Sequence, residues 1–115
     1  MSDIKKLTQK ILKFRDKREW GHFHNPKDMA ISLALEAAEV LEHFQWRSLK
    51  EIEQYLKTHK EHIGDELSDV LYWVLLISHD LDIDIFKAFE KKMKKNEEKY
   101  PVVKSRGSHK KWTEL

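Results

Sequence analysis

The sequence predicts an all-α protein, an antiparallel bundle of four to five helices completed by oligomerisation. Three observations carry this. Apolar residues recur at helical spacing along most of the chain, not at the alternation of strands. Only three glycines and two prolines interrupt 115 residues, of which 37% are charged, so elements are long and turns few. The interruptions carry helix-cap chemistry, as at Asn25-Pro26 and Ser48-Leu-Lys-Glu51. A chain of this length forms one domain with a modest core, and a second copy helps to bury its apolar surface.

Ile4, Leu7, Ile11, Leu12 and Phe14 set a helical period over residues 3–18, with Lys and Arg opposite and Asp3 as the expected cap. Residues 19–25, Glu-Trp-Gly-His-Phe-His-Asn, break it at Gly21. This loop either lines a planar ligand with its two aromatics and two histidines, or tucks onto the core through Trp20 and Phe23. The second helix is expected from about Pro26 to about Trp46, with Met29, Leu33, Ala37, Val40, Leu41 and Phe44 as its stripe. Ala30, Ala34, Ala37 and Ala38 allow a neighbour to approach closely.

Ser48-Leu-Lys-Glu51 and Thr58-His-Lys-Glu61 both have capping-box spacing, so a short helix over 48–57 and a new one from 59 to about 80 are expected. His59 and His62, set among Lys57, Lys60 and Glu61, read as a solvated face, not a metal pair. The run Val70–Ile77 continues Ile63 and Leu67 at helical spacing and gives a helix apolar nearly all round, central in its bundle or in a subunit interface. Asp82-Ile-Asp84 restarts a helix to about Lys99 with Ile85, Phe86, Phe89 and Met93 inward, and Pro101 ends it. Residues 1–101 are then the helical domain. Residues 102–115 form a mobile basic tail whose end Trp112 and Leu115 would dock.

No cysteine is present, which excludes a disulfide framework and thiolate metal sites and agrees with a cytoplasmic location. The charged, periodic N-terminus is not a secretory signal, and no apolar run approaches the ~20 residues of a membrane span. The net charge of +2 conceals an asymmetry: +5 over residues 1–27, −9 over 28–84 and +6 over 85–115. An acidic centre between basic ends suits a metal site beside an anion-binding surface, although solvated helix faces pairing with each other account for most single charges.

Within that acidic centre, Glu36-Ala-Ala-Glu39 and Glu66-Leu-Ser-Asp69 each set two carboxylates one turn apart in otherwise apolar segments. Carboxylates gathered away from water take up protons or need a counter-charge. A hard divalent cation supplies one. Neither the Glu-x-x-His pattern of di-iron bundles nor His-Glu-x-x-His is found on this face, so magnesium is expected, with manganese as a substitute. With Lys92, Lys95, Asn96, Arg106 and several indoles available, a nucleoside polyphosphate is the fitting ligand. Each carboxylate pair alone is also what exposed acids salt-bridged to lysines would give.

These motifs resemble the E-x-x-E … E-x-x-D signature of the MazG-like all-α nucleotide pyrophosphohydrolases, and more specifically the dCTP pyrophosphatase branch. The likeness takes in Phe14-Arg-Asp-x-Arg-x-Trp20, Phe23-His24-x-Pro26, Glu42-x-Phe44-Gln45-Trp46, Tyr100-Pro101 and the tail Arg106-Gly107-Ser108-x-x-Lys111-x-Thr113-Glu114-Leu115. It implies hydrolysis of a nucleoside triphosphate, with dCTP or a modified dCTP leading, to the monophosphate and pyrophosphate. The role would be nucleotide-pool sanitation.

By the same resemblance magnesium is held by Glu36, Glu39, Glu66 and Asp69. Trp20, His24 and Trp46 lie around base and sugar, and Lys92, Asn96 and Tyr100 near phosphates or sugar. Arg106 and Lys111 belong to the matching tail. The protein is expected to be a homodimer or homotetramer with sites built at subunit contacts. The water-activating base is either Glu42 or a metal-bound carboxylate. Trp73 and Trp112 stand where the branch has tyrosine, and both reshape the base pocket. The rival readings are a nucleic-acid-binding module using the basic ends, which leaves the carboxylates unexplained, and a non-catalytic protein-interaction bundle.

Overall fold

Ser2, not Asp3, caps the first helix: its hydroxyl accepts the Lys5 N–H at 3.3 Å, and Asp3 falls in the first turn, where its charge favours the helix N-terminus. The computed structural model describes residues 1–115 and contains five α-helices and no strand: α1 (Asp3–Lys17), α2 (Pro26–Glu42), α3 (Leu49–Asp80), α4 (Ile85–Lys99) and α5 (Val102–Ser105). Two compact units result, Met1–Asp82 and Ile83–Leu115.

In the first unit Asn25 caps α2, accepting the Asp28 N–H at 2.9 Å, with Pro26 at the first helical position. Helix α2 stops at Glu42, four residues short of the expected Trp46, and residues 43–46 form the turn into α3. Ser48 and Glu51 make the reciprocal capping box at 3.2 and 3.1 Å. The second box, at Thr58, does not form. The Thr58 hydroxyl instead meets the His59 ring at 2.8 Å, and α3 runs unbroken for 32 residues. No proline stands in α3 to stop it, its one glycine, Gly64, lies six residues past Thr58, and one buried seam runs through the position, so tertiary packing overrides the local signal.

That seam explains the fold. The least accessible positions of α2 and its turn are Met29, Ser32, Leu33, Glu36, Val40, His43 and Phe44. In α3 they are Ile52, Tyr55, Leu56, His59, Ile63, Glu66 and Val70, followed by the apolar run. The spacings of three and four are those of an antiparallel hairpin seam. The expected stripe members Ala37 and Leu41 fall outside it and are exposed, and His59 lies inside it, stacked on Tyr55 with centroids 3.9 Å apart.

Full apolar burial is confined to Met29, Leu75 and Leu76. Each contributes about 1.5–3 kcal/mol of transfer free energy. Leu67 and Leu71 stay about half exposed, so α3 is not covered all round within the chain. Helix α1 lies along the C-terminal part of α3. Phe14 meets Tyr72 edge-on, and the Arg15 guanidinium grips the Asp80 carboxylate through two bonds of 2.7 and 3.1 Å.

In the second unit Asp84 caps α4 by accepting the Lys87 N–H at 3.1 Å. Of the four residues expected inward, Ile85 is half-buried while Phe86, Phe89 and Met93 are exposed. Beyond Pro101 the chain makes α5 and then turns at Gly107, whose φ of 75° is left-handed. The tail's end is anchored: the Trp112 N–H donates to the Tyr100 hydroxyl at 3.1 Å, and Lys99 stands 5.1 Å from the Trp112 ring centroid.

Candidate active site

Glu36 occupies a seam position of α2 between Leu33 and Val40, where an apolar side chain would ordinarily pack. One turn on, Glu39 is exposed at the rim of the same face. Across the hairpin Asp69 joins them, and the three carboxylates offer oxygen atoms within 4.8 Å of one another.

Burial first, then hydrogen bonding of the protonated carboxyl to Glu39 and the charges of Glu39, Asp69 and Glu66, push the Glu36 carboxyl above the ordinary glutamate range. Its Oε2 is buried and has no partner. An orphaned oxygen among like charges is an acceptor set short of a cation. Three hard oxygen donors with no thiolate or imidazole among them suit a hard divalent ion.

Glu66 takes the matching seam position in α3, between Ile63 and Val70, and its charge reaches Glu36. It lies outside the group of three, and its Oε2 is bonded to the Nε2 of His43, whose Nδ1 is bonded to the Tyr55 hydroxyl. A histidine therefore does approach the carboxylate face, though in neither of the two metal-binding motifs sought in the sequence. Nothing local flagged it: His43 belongs to the turn after α2, and its partners lie 12 and 23 residues away. Glu42 closes α2 as an exposed side chain outside the group of three.

Beside Asp69 opens a groove of about 630 Å³ between α1, the 19–25 loop and α3, within the usual size of small-molecule sites. Its wall is a chain of edge-on aromatic contacts. Trp20 meets Phe14 at 5.8 Å, Tyr72 meets Trp73 at 5.0 Å and Trp73 meets His24 at 5.3 Å, with Phe14 to Tyr72 closing the chain. Such pairs add about 0.5–1.5 kcal/mol each beyond area burial and hold the rings rigidly. Ser68 and Asp69 form the polar end, and Lys10 brings a cation to the lining.

His24 has a buried, unpartnered Nδ1. Burial and then the Arg15 charge lower its pKa, which favours the neutral ring. Of the loop's two readings, Trp20 and His24 follow the first by lining the groove. Phe23 does not tuck onto the core; it is exposed and pairs with His22.

The structure thus gathers Trp20, His24, Trp73 and Asp69 on one groove and Glu36 and Glu39 with Asp69. Phe14, Lys10, Ser68 and Tyr72 join the groove without being expected there from the sequence; only their closeness along the helices to Asp69, Trp73 and one another hinted at it. Trp46 is off the groove, 85% exposed on the α2–α3 turn. Lys92, Asn96, Tyr100, Arg106 and Lys111 belong to the second unit. There Asn96 reaches the Met93 sulfur, Tyr100 holds the Trp112 backbone, and Lys92, Arg106 and Lys111 are exposed.

Comparison with known proteins gives this arrangement a family. The MazG-like family pattern matches residues 31–115. The chain is 35% identical to dCTP pyrophosphatase 1 of Rattus norvegicus and 31% identical to that of Homo sapiens, in alignments covering 100% of this chain and 67% of each relative. A pyrophosphatase from Archaeoglobus fulgidus, known from its crystal structure, superposes with a TM-score of 0.81 at 38% identity, over 88% of this chain and 94% of that one. With carboxylates gathered from two antiparallel helices and a pattern match over most of its length, the chain belongs to the MazG-like family.

Proposed function

We propose that the protein is a magnesium-dependent nucleoside triphosphate pyrophosphohydrolase. It cuts dCTP or a modified dCTP to the monophosphate and pyrophosphate and so clears the nucleotide pool. The observation that carries this reading is the pairing of an oxygen-only acceptor cluster, short of a cation, with an aromatic groove that shares Asp69. The relatives' names point to the same chemistry. A cytoplasmic location goes with a nucleotide in solution as substrate; no helix is long and apolar enough to cross a membrane.

In this reading Glu36, Glu39, Glu66 and Asp69 hold the magnesium ion. When bound, magnesium supplies Lewis acidity, neutralising phosphate oxygens and making water a better nucleophile at neutral pH. Trp20 and Trp73 stack or wall the base, and His24 offers it a neutral ring with a free nitrogen. The rigid aromatic wall excludes water from the base and fixes the α-phosphorus relative to the carboxylates. Glu39, or Glu42 three residues farther along α2, accepts the proton of the attacking water. Water adds to the α-phosphorus as the bond to the bridging oxygen breaks, and pyrophosphate leaves with the electron pair.

Lys92, Asn96, Tyr100, Arg106 and Lys111 serve phosphates and sugar, with residues 102–115 acting as a basic tail to the 1–101 domain. Trp46 and the exposed Leu35, Leu41, Leu67 and Leu71 are read as subunit contacts of a homodimer or homotetramer. The bundle is then completed by a second copy.

The test is a panel of canonical and modified dNTPs with magnesium, assayed for monophosphate and pyrophosphate. Turnover should favour cytosine nucleotides and be lost in Glu36→Gln and Asp69→Asn. Release of orthophosphate and a diphosphate, or full activity in either variant, would refute the bond cut or the metal assignment.

A further inference from the structure

We propose that His43, held by Tyr55, is a positioning residue that fixes the Glu66 carboxylate for divalent-cation binding. The inference rests on the reading of Glu36, Glu39, Glu66 and Asp69 as the cation site, and it adds a residue that no motif of the sequence marks.

The assembly begins at the end of α2. His43 is the first residue past the helix, and its carbonyl accepts from the Arg47 guanidinium at 2.5 Å. That guanidinium lies over the Tyr55 ring at 3.7 Å, so the turn, the histidine and the tyrosine are tied together. The His43 side chain is 11% exposed and spans the hairpin, with Tyr55 on Nδ1 and Glu66 on Nε2.

The hydrogen-bond pattern is directional. An ionised carboxylate only accepts, so Nε2 carries the proton given to Glu66. In the neutral ring Nδ1 then accepts, and the Tyr55 hydroxyl donates to it. One Glu66 oxygen, Oε2, is tied across the hairpin, while the other makes no hydrogen bond within the chain. Hydrogen bonds of this kind orient ligands for a metal, and their removal weakens affinity by about 10–100-fold. A purely space-filling role at this seam position would be met by leucine, which cannot hold Glu66.

The experiment is calorimetric titration of the metal-free full chain with MnCl2 and with MgCl2, without nucleotide. It compares wild type, Glu66→Gln, His43→Leu, His43→Gln and Tyr55→Phe, each checked for folding by circular dichroism. The wild type should bind, and Glu66→Gln should lose most affinity. His43→Leu should raise Kd by about 10–100-fold. Tyr55→Phe, which removes one oxygen and keeps the ring, should raise it by less, and it decides the matter if His43→Leu does not fold. His43→Gln, whose amide still donates, should recover part of the loss.

Unchanged Kd in both His43→Leu and Tyr55→Phe, with Glu66→Gln impaired, overturns the positioning role and leaves the cation site standing. Tighter binding in His43→Leu also overturns it, showing that His43 withholds Glu66 from the metal. Wild-type affinity in Glu66→Gln removes Glu66 from the site, and absence of binding by the wild type removes the site itself.

Discussion

Replacing Asp80 with alanine should be among the most damaging single changes outside the carboxylate cluster. Asp80 ends α3 and receives both Nη atoms of Arg15, at 2.7 and 3.1 Å, with the Arg15 side chain 11% and the Asp80 side chain 20% exposed. Arg15 Nε is already buried without a partner, so removing Asp80 strips the guanidinium of its only side-chain acceptors. Leaving one partner of a buried pair uncompensated costs about 3–5 kcal/mol. The exposed fraction of each side chain lets water compensate in part, so about 2–3 kcal/mol is expected here. For a domain of this size that lowers the melting temperature by roughly 10 °C.

Chemical denaturation of Asp80→Ala, Arg15→Met and the double variant measures the coupling. The double variant should be less destabilised than the sum of the two by about 1 kcal/mol or more. The pH dependence follows from Asp80. Burial works upward on its carboxyl, but the hydrogen bonds from Arg15 and His79 outweigh this and hold it below the usual aspartate range. A depressed acid stabilises the fold fully above its unfolded value of about 3.9 and loses that contribution as pH falls through the folded value. Acid unfolding of Asp80→Ala should therefore be flatter in this window than that of the wild type. Coupling near zero, or a loss below about 0.5 kcal/mol, would show that the pair is no more than a surface contact.

Two other perturbations test the hairpin. Glu36→Gln should stabilise the metal-free protein near neutral pH, because a carboxyl raised by burial and like charges works against folding once pH exceeds its unfolded value. Thermal melts should show that gain shrinking under mild acid, and the variant should lack the stabilisation of about 2.7 kcal/mol that a ligand at a hundred times its Kd confers on the wild type. Gly64→Ala, in the interior of α3 where a methyl group would meet open space, should gain about 0.5–1 kcal/mol through helix propensity, seen as a melting temperature a few degrees higher.

The parts of this structure legible in the sequence are those set by neighbours along the chain. Asn25-Pro26 and Ser48…Glu51 act within four residues, and the structure places caps at both. Thr58…Glu61 has the same local grammar but lies on a seam that Ile52, Leu56, His59 and Ile63 carry straight through, and packing prevailed. The meeting of Glu36 and Glu39 with Asp69 was legible because the spacings put each pair on one helix face and the short turn forces the helices together. Long-range pairs were not legible. Arg15 and Asp80 lie 65 residues apart, and His43 finds Glu66 across 23. Ala37 and Leu41 read as inward from composition, yet Glu36 and His43 hold the seam positions that apolar residues usually fill.

That substitution divides the hairpin into two ends with different jobs. At the open end Met29, Leu75 and Leu76 are fully or almost fully buried, and α1 closes over them through Phe14 and Arg15. Toward the turn the same seam holds Glu36, Glu66, His43, Tyr55 and His59, none of them fully buried. Apolar burial is complete only at the first end, while at the other half-buried apolar residues such as Val40, Leu56 and Ile63 share the seam with hydrogen-bonded groups and with carboxylates short of a counter-charge. The aromatic groove lies along the apolar end and reaches the polar one at Asp69. A nucleotide laid along it would set its base against rings held by the core and its phosphates toward the carboxylate cluster. Binding a cation with the phosphates would then complete the electrostatics of the seam in the same event that presents the substrate. This ties the placement of the carboxylates in a packing seam, costly for folding, to the chemistry proposed for them.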